Sequence, residues 1–266
     1  TEPSIPQPPQ PSEYQTLKDI PEGEMRVLIF GTGKVGKTAL ALTFPDVALL
    51  DYDGEGVKCA NSAYFKKNFP AQRETFRFKT FEENLNDYGL PAAAPQAFWD
   101  GIKWINAVIK DPTRKTIVID SLTTMSRAAA LAGMVVAGRG KRSQTWSKKD
   151  IDHMLLMTQA DFGAEMEAIE QLLDQLTRVR GKNVLIVAHE RDEKTESGLI
   201  IGRGPLITGD RLRAKIAHWF DDVWYMDSVN QQRILRCQPY GILRGVGSRL
   251  GMPASIDDPS YDKIIK

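Results

Sequence analysis

Short apolar runs alternate with amphipathic stretches along this chain from Met25 onward. Each run holds four or five residues that are mostly apolar or β-branched, which is typical of strands buried in a sheet. The five clearest runs are RVLIF (26–30), VALLD (47–51), TIVID (116–120), VLIVA (184–188) and DVWYM (222–226). A sixth run, RILRC (233–237), alternates apolar and polar positions and is interpreted as an edge strand. The pattern predicts an α/β fold with a mainly parallel, twisted sheet flanked by helices.

The stretches between the runs carry apolar residues at helical spacing. One such set precedes the third run and another precedes the fourth, so each is interpreted as an amphipathic helix. The first set is Phe98, Ile102, Ile105 and Ile109, and the second, which ends before Gly181, is Met166, Ile169, Leu172, Leu173, Leu176 and Val179. Together with the runs, these sets are the signature of an α/β protein.

The first dozen residues differ from the rest of the chain. TEPSIPQPPQPS holds five of the fifteen prolines and too little apolar content to pack against a core. We therefore expect residues 1–20 to form a flexible tail and residues 21–266 to form a single large domain. A second interpretation is that the tail is a docking arm for a partner, anchored by Tyr14, Leu17 and Ile20.

Composition narrows the class of protein further. The 266 residues carry a formal net charge of +1, so a nucleic-acid site must come from local basic clusters rather than from a global field. Cys59 and Cys237 lie far apart and lack metal-site spacing, which argues against a disulfide framework and for a reducing compartment. No apolar run approaches the roughly 18 residues that span a bilayer, and no signal peptide is recognisable, so we expect a soluble cytoplasmic protein.

The stretch GTGKVGKT, residues 31–38, lies between the apolar run VLIF and the helix-prone ALAL. It matches G-x-x-x-x-G-K-[ST], in which glycines let backbone N–H groups turn toward phosphate oxygens at the start of a helix. Lys37 is predicted to reach the β- and γ-phosphates, and the Thr38 hydroxyl is predicted to ligate Mg²⁺. The predicted nucleotide-binding residues are Gly31, Thr32, Gly33, Lys34, Val35, Gly36, Lys37, Thr38 and Ala39.

A phosphate loop of this kind needs a second metal ligand from the end of a nearby buried strand. Asp120 ends the run TIVID and is predicted to be that ligand beside the hydroxyl of the loop. The next residue is Ser121 rather than glutamate, so a water-activating carboxylate must come from elsewhere in the chain. The candidates lie in LLDYDGEG, where a solvated acidic turn is the alternative. They are Asp53, which is preferred, then Glu55, and also Asp51.

The fourth run ends in VAHER, which puts polar residues at the tip of a strand next to the loop. His189 is interpreted as a sensor of the γ-phosphate that passes the signal to the following segment, with Glu190 beside it. A structural role at the strand end is the alternative for this histidine. The predicted catalytic residues are therefore Lys37, Asp53, Glu55, Asp120 and His189.

Two segments are candidates for DNA binding because they follow the strands that end at Asp120 and His189. A nucleotide-dependent movement at these strand ends would shift the segments that follow. Segment 138–149, GRGKRSQTWSKK, has no acidic residue and combines basic side chains with one ring, which favours sequence-independent binding of single strands. Its candidate residues are Arg139, Lys141, Arg142, Trp146, Lys148 and Lys149. Segment 189–209 is rich in glycine and predicted to be mobile, and Arg203 is its candidate DNA contact. The acidic residues of this segment lower its net positive charge, which makes it the weaker candidate for DNA binding. For both segments a solvated surface is the alternative.

Taken together, these motifs resemble the RecA-type recombinase core. The resemblance rests on GTGKVGKT, the acidic strand end LLDYD, TIVIDSLTTM and VLIVAHE. The span from Met25 to Pro253 is similar to short RecA-like ATPases of bacteriophages, some classed as single-strand annealing or recombination proteins and others as phage nucleotide-binding proteins. That similarity rests on VGKTALALTFPDVALLDYDGEG, TQADFG and PLITGDRLRAKIAHWFDDVWYM. RecA has glutamate at the position of Asp53, and this shorter carboxylate leaves the identity of the base open.

The resemblance implies an enzyme that hydrolyses ATP with Mg²⁺, has two DNA-facing loops, and assembles into rings or filaments with ATP between subunits. A basic residue from the neighbouring subunit would then complete the site. Arg244 and Arg249 in GILRGVGSRLG are the candidates, with solvated surface arginines as the alternative. We therefore expect an ATPase that binds single-stranded DNA as a homo-oligomer in recombination or annealing. A single-strand-binding protein is a candidate further partner.

Three other functions stay open from the sequence. A small-molecule kinase would use the same loop, although no arginine-rich lid with an acceptor site is recognisable. An ATP-binding adaptor would use the proline-rich tail to recruit a partner. A helicase motor would share the same core.

Overall fold

The computed structural model describes residues 24–83, 95–136, 159–207 and 210–266. The predicted tail at residues 1–20 and the basic segment at 138–149 lie outside these ranges. Within them, none of the helices combines the length and the apolar character that crossing a membrane requires.

Strands and helices alternate along the described chain, as the apolar pattern predicts. The strands are β1 (Arg26–Gly31), β2 (Val47–Asp51), β3 (Arg77–Thr80), β4 (Thr116–Asp120), β5 (Asn183–Lys194), β6 (Ile200–Pro205), β7 (Asp222–Val229), β8 (Gln232–Arg236), β9 (Gly247–Ser248) and β10 (Ser255–Asp257). The α-helices are α1 (Lys37–Ala41), α2 (Ala63–Asn68), α3 (Pro70–Thr75), α4 (Ala97–Lys110), α5 (Leu122–Val136), α6 (Gln159–Thr177), α7 (Asp210–Lys215) and α8 (Tyr261–Ile264). Two 3₁₀ helices cover Gly56–Asn61 and Ile216–Trp219.

The described strands form one sheet in the order β10-β8-β7-β1-β5-β4-β2-β3, with β6 paired to β5 and β9 paired to β7. The six strands from β7 to β3 run parallel, and β8 and β10 are antiparallel additions at one side. This arrangement confirms the predicted α/β fold with a mainly parallel sheet. Because parallel strands end at the same edge, the ends of β1, β2, β4 and β5 lie side by side.

Alternate residues of the central strand β1 enter two separate cores, because successive side chains of a strand point to opposite faces. Leu28 and Phe30 pack with apolar residues of α4, α5 and α6. Val27 and Ile29 pack on the other face with residues of α1 and α2. Every residue of β2 and β4 is buried, which explains why these strands read as continuous apolar runs. Helices therefore cover both faces and fix the carboxyl edge of the sheet.

Two predictions about strands are wrong. Segment 189–209 was predicted as a mobile glycine-rich loop, but its residues extend β5 to Lys194 and form an antiparallel hairpin with β6. The charged residues in the first strand of this hairpin form no apolar run, so the sequence pattern does not predict that strand. An exposed pair of strands can form without such a run. The sixth run is not the edge of the sheet, since β10 pairs with its outer side.

Candidate functional site

The phosphate loop connects the end of β1 to the start of α1. Gly36 precedes α1 with a φ of 102°, a backbone conformation that favours glycine. A Cβ atom at Gly31 would lie 2.3 Å from the carbonyl oxygen of Met226 on β7. The two glycines therefore let the loop turn tightly against the sheet, so that Lys37 and Thr38 begin the helix at the carboxyl edge.

Lys37 is a buried cation at the centre of this edge, with 6% of its surface exposed. Its Nζ atom donates to the carbonyl oxygens of Gly31 at 2.9 Å and Thr32 at 2.6 Å. Burial lowers the pKa of Lys37, while the nearby carboxylates Asp120, Asp53 and Glu190 act in the opposite direction. The hydrogen bonds of this buried ammonium go to two neutral carbonyls, and an anionic ligand that replaces them as the acceptor adds charge stabilisation, so Lys37 fits a place for such a ligand.

Asp120 and Thr38 meet beside the lysine, as predicted for a metal pair. The Thr38 hydroxyl donates to Asp120 Oδ2 at 2.5 Å. Burial, together with the neighbouring Asp53 and Asp51, raises the pKa of Asp120 to about 6, although the hydrogen bond from Thr38 acts in the opposite direction. A Cβ atom at Gly56 would lie 2.7 Å from Asp120 Oδ2, so the start of the first 3₁₀ helix covers this carboxylate closely.

This donor set fits Mg²⁺, which prefers hard oxygen ligands and is held by one or two protein groups plus water and substrate oxygens. The hydroxyl of Thr38 and the carboxylate of Asp120 are such groups. Among the described residues there is no group of three or more His, Cys, Asp or Glu that would enclose a metal ion by protein ligands alone. The site therefore suits a metal that binds together with a polyphosphate.

Asp53 receives three hydrogen bonds at the end of β2. Ser121 Oγ donates to its Oδ1 at 2.8 Å, Thr124 Oγ1 donates to the same oxygen, and His189 Nε2 lies 3.2 Å from Oδ2. Burial raises the pKa of Asp53, but the hydrogen bonds from His189, Thr124 and Ser121 outweigh it and hold the pKa at about 2. Asp53 is therefore a fixed, ionised carboxylate.

The other two carboxylates of the acidic turn have different surroundings. Asp51 is fully buried, accepts the backbone N–H of Gly54 at 2.9 Å, and has its pKa raised by that burial. Glu55 is exposed and forms an ion pair with Lys58 on the 3₁₀ helix. Of the three candidates, Asp53 is the one that contacts the histidine and the hydroxyls at the strand ends.

Thr123 links the histidine to the hairpin, and sequence reasoning missed it. The backbone N–H of His189 donates to Thr123 Oγ1 at 3.0 Å, and this hydroxyl donates to the carbonyl oxygen of Leu206 at 2.7 Å. Leu206 N–H in turn donates to the carbonyl oxygen of His189 at 2.7 Å. The signal was present in TIVIDSLTTM, where three hydroxyl side chains lie within four residues after Asp120.

Arg203, a predicted DNA contact on β6, is engaged within the chain. Its Nε atom donates to Asp192 Oδ1 at 2.7 Å and its Nη1 atom donates to Tyr225 Oη at 3.2 Å. Tyr225 Oη donates to Glu190 Oε2 at 2.8 Å, which ties β7 to β5 across β1. The hydrogen bond that Arg203 donates to Asp192 is the main reason that the pKa of Arg203 is raised above its ordinary value. This network fixes the base of the hairpin to the sheet.

Two other predicted site residues, Arg244 and Arg249, lie in the described part of the chain. Both are exposed. Arg249 follows β9, which pairs with the start of β7 at Asp222, and its backbone N–H donates to Asp222 Oδ1 at 3.0 Å. Arg249 therefore lies at the amino edge of the sheet, whereas the phosphate loop lies at the carboxyl edge. A residue that acts on a neighbouring subunit need not lie near the loop of its own chain. The basic residues from Arg139 to Lys149 fall outside the described part of the chain.

Comparison with known proteins gives a family. A family model described as an AAA domain matches residues 23–241. No curated protein matches the chain. One similar solved structure is titled "Structural and biochemical analysis of a prototypical ATPase from the type III secretion system of pathogenic bacteria", with 12% identity and a TM-score of 0.41. The match covers 76% of this chain and 52% of that chain, so this chain spans about half the length of that protein.

The family match covers residues 23–241 and includes the phosphate loop, the contact between Thr38 and Asp120, and the network around Asp53 and His189. The chain belongs to this family of AAA domains, and these residues lie within an AAA-type P-loop ATPase domain.

Proposed function

We propose that the chain is an ATPase of the single-strand annealing or recombination type, which uses ATP and Mg²⁺, binds single-stranded DNA and acts as a homo-oligomer. One observation carries the proposal: the hydrogen bonds that join Asp53 to Thr124 and His189. They connect the nucleotide site to two segments outside it. Helix α5, which carries Thr124, precedes the basic segment 138–149 in the sequence, and β5, which carries His189, continues into the hairpin.

The residues of the loop have distinct roles in this proposal. Lys37 exchanges its two backbone carbonyl partners for phosphate oxygens, and the loop N–H groups bind the same anion. Thr38 and Asp120 are the residues that would hold Mg²⁺, which would supply positive charge against the charge of the phosphates. Both groups already lie at the carboxyl edge, so ATP binds to a largely preformed site.

Asp53 orients the attacking water rather than storing its proton. A carboxylate with a pKa of about 2 is a weak base at neutral pH, but it is always ionised and accepts a hydrogen bond from water. Ser121, Thr124 and His189 hold it in one position, which lowers the entropic cost of aligning the nucleophile. This role needs a fixed carboxylate and tolerates the replacement of glutamate by the shorter aspartate.

Loss of the terminal phosphate changes the surroundings of His189. Thr123 then transmits the movement of this histidine to the hairpin. Its hydroxyl bonds both the start of the hairpin base at His189 and the end of β6 at Leu206. A shift of the histidine therefore alters the hairpin, and a shift at the start of α5 alters the segment that follows this helix. DNA affinity and ATP hydrolysis are coupled through these two segments.

Steady-state ATP turnover with and without single-stranded oligonucleotide at low salt tests the proposal. We expect the oligonucleotide to raise turnover, and Lys37→Ala to abolish turnover in both conditions. Trp146→Ala, or Lys148→Ala combined with Lys149→Ala, should weaken oligonucleotide binding in a salt-sensitive manner. Turnover that is unchanged by DNA, with normal hydrolysis, contradicts the DNA-binding part of the proposal.

The ion pairs of Arg203 favour one alternative, an ATP-binding adaptor whose hairpin contacts a protein rather than DNA. The hairpin carries Asp192 and Glu190 opposite its arginine, and a strand whose cation is already paired attracts phosphates weakly. Slow hydrolysis that is independent of DNA, with partner capture that requires the N-terminal tail, would support the adaptor.

A further inference from the structure

A side-chain cluster formed by Tyr64, Arg233 and Asp258 lies beside the phosphate loop. The guanidinium of Arg233 on β8 stacks on the Tyr64 ring, 4.1 Å from the ring centroid. Its Nη2 atom donates to Asp258 Oδ1 at 2.9 Å, and Tyr64 Oη donates to Asp258 Oδ2 at 3.0 Å. The Arg233 side chain is 22% exposed and that of Asp258 is 44% exposed, so the cluster has a solvent-facing side.

Arg233 contacts the loop directly. A Cβ atom at Gly36 would lie 2.8 Å from Arg233 Cδ and 3.4 Å from its Nη1 atom. Gly36 immediately precedes the lysine and threonine that begin α1. The planar cation therefore lies next to the residues that would hold a triphosphate.

Two members of the cluster, Arg233 on β8 and Asp258 after β10, come from the opposite side of β1 to the network around Asp53. Asp53, Asp120 and His189 come from β2, β4 and β5, on one side of β1. Arg233 comes from β8, beyond β7 on the other side of β1. If the terminal phosphate lies where the water is oriented, the other end of the nucleotide points toward β7 and β8.

We propose that Tyr64, Arg233 and Asp258 form the subsite for the base and sugar of the nucleotide. A flat heteroaromatic base stacks on the surface made by the ring and the guanidinium, and the Asp258 carboxylate accepts hydrogen bonds from sugar hydroxyls. The proposal rests on the proposed ATP site, since it assigns the second half of the same ligand. It also explains why a paired, stacked arginine is packed against a glycine of the loop.

The test compares a non-hydrolysable ATP analogue with inorganic tripolyphosphate, which lacks base and sugar, by isothermal titration calorimetry with Mg²⁺. Arg233→Ala and Tyr64→Leu should each weaken binding of the analogue about tenfold, as loss of a desolvated cation–π or stacking contact does. Both variants should bind tripolyphosphate as the wild-type chain does. Tyr64→Leu keeps the ion pair of Arg233 and most of the side-chain volume, so it tests stacking without removing the charge.

Arg236→Ala is the matched control. Arg236 is on the same strand, stacks on Tyr240 at 4.4 Å and pairs with Asp227 at 3.2 Å, so it repeats the interactions of Arg233. It lies three residues along β8, and therefore on the opposite face of the sheet from Gly36. Its substitution should leave both affinities unchanged, and thermal melting of each variant should confirm that it is folded.

The results separate the subsite from the ATP site itself. Equal weakening of the analogue and tripolyphosphate by Arg233→Ala would make Arg233 a phosphate contact and overturn the subsite. Unchanged affinity for the analogue in both variants would overturn it as well. A wild-type chain that binds neither ligand would overturn the proposed ATPase function and the subsite with it.

Discussion

Replacing Asp53 with asparagine tests the role of a carboxylate that is held at the site by Ser121, Thr124 and His189. The substitution keeps the size of the side chain and removes its charge. We expect ATP turnover to fall roughly 100-fold or more, the lower end of what positioned acid–base groups contribute, while ATP affinity stays near that of the wild type. Glu55→Gln is the matched control, because Glu55 lies two residues away but is exposed and paired with Lys58.

The same substitution has a cost in stability that follows from the pKa of Asp53. The pKa falls from 3.8 to about 2, since the hydrogen bonds from His189, Thr124 and Ser121 outweigh the effect of burial. At about 1.36 kcal/mol per tenfold change in proton affinity, this corresponds to at most about 2.4 kcal/mol. The side chain is 26% exposed. Solvent screening therefore reduces the expected contribution to roughly 1 kcal/mol.

The lowered pKa of Asp53 also determines the direction in which this contribution to stability changes with pH. Because the folded-state pKa is lower than that of the unfolded chain, the stabilisation is present above about pH 4 and is lost as the pH falls through about 2. Urea unfolding should therefore show Asp53→Asn less stable than wild type at pH 7, with a smaller difference at pH 2.5. Turnover at the wild-type level in Asp53→Asn, or equal loss in Glu55→Gln, would refute the assignment of Asp53 as the residue that orients water.

Two further substitutions test the packing of the loop and the link to the hairpin. Gly31→Ala should lower the free energy of unfolding by about 1–3 kcal/mol, because its Cβ would overlap the carbonyl of Met226. Gly33→Ala should have little effect in the same urea titration, because nothing lies within 4 Å of its Cβ position. Thr123→Val should cost about 1–3 kcal/mol by leaving backbone groups of the hairpin base unpaired, and it should reduce DNA stimulation of turnover. Thr123→Ser keeps the hydroxyl and should restore both; equal behaviour of Val and Ser would contradict the link.

The central strands could be predicted from the sequence because parallel strands covered on both faces are apolar throughout. All five residues of β2 and all five of β4 are buried, and both appear as unbroken runs. Strand β3 was not predicted because its four residues, RFKT, are all exposed. The extension of β5 and the strand β6 were missed for a similar reason, since charged residues of β5 pair through the backbone with a short strand that contains two glycines and a proline. Exposed pairing leaves no periodic apolar signal.

The phosphate loop and the contact between Thr38 and Asp120 could be predicted because each residue belongs to a local motif or marks the end of an apolar run. Thr38 and Asp120 are 82 positions apart, yet each belongs to a recognisable motif, and the structure brings them together. The partners of Asp53 are different, because contact between Asp53 and His189 depends on the order of β2, β4 and β5 in the sheet. The ion pair of Arg203 with Asp192 depends on hairpin register, which the sequence pattern does not reveal.

The most direct measurement of the central claim is the amount of phosphate released from ATP in a single turnover with Mg²⁺, by wild-type chain and by Lys37→Ala at equal concentration. The buried ammonium of Lys37 is the cation that the loop offers to the triphosphate. We predict release by the wild-type chain and none above background by the variant. Equal release by both chains, or none by the wild type, would contradict ATP hydrolysis at this loop.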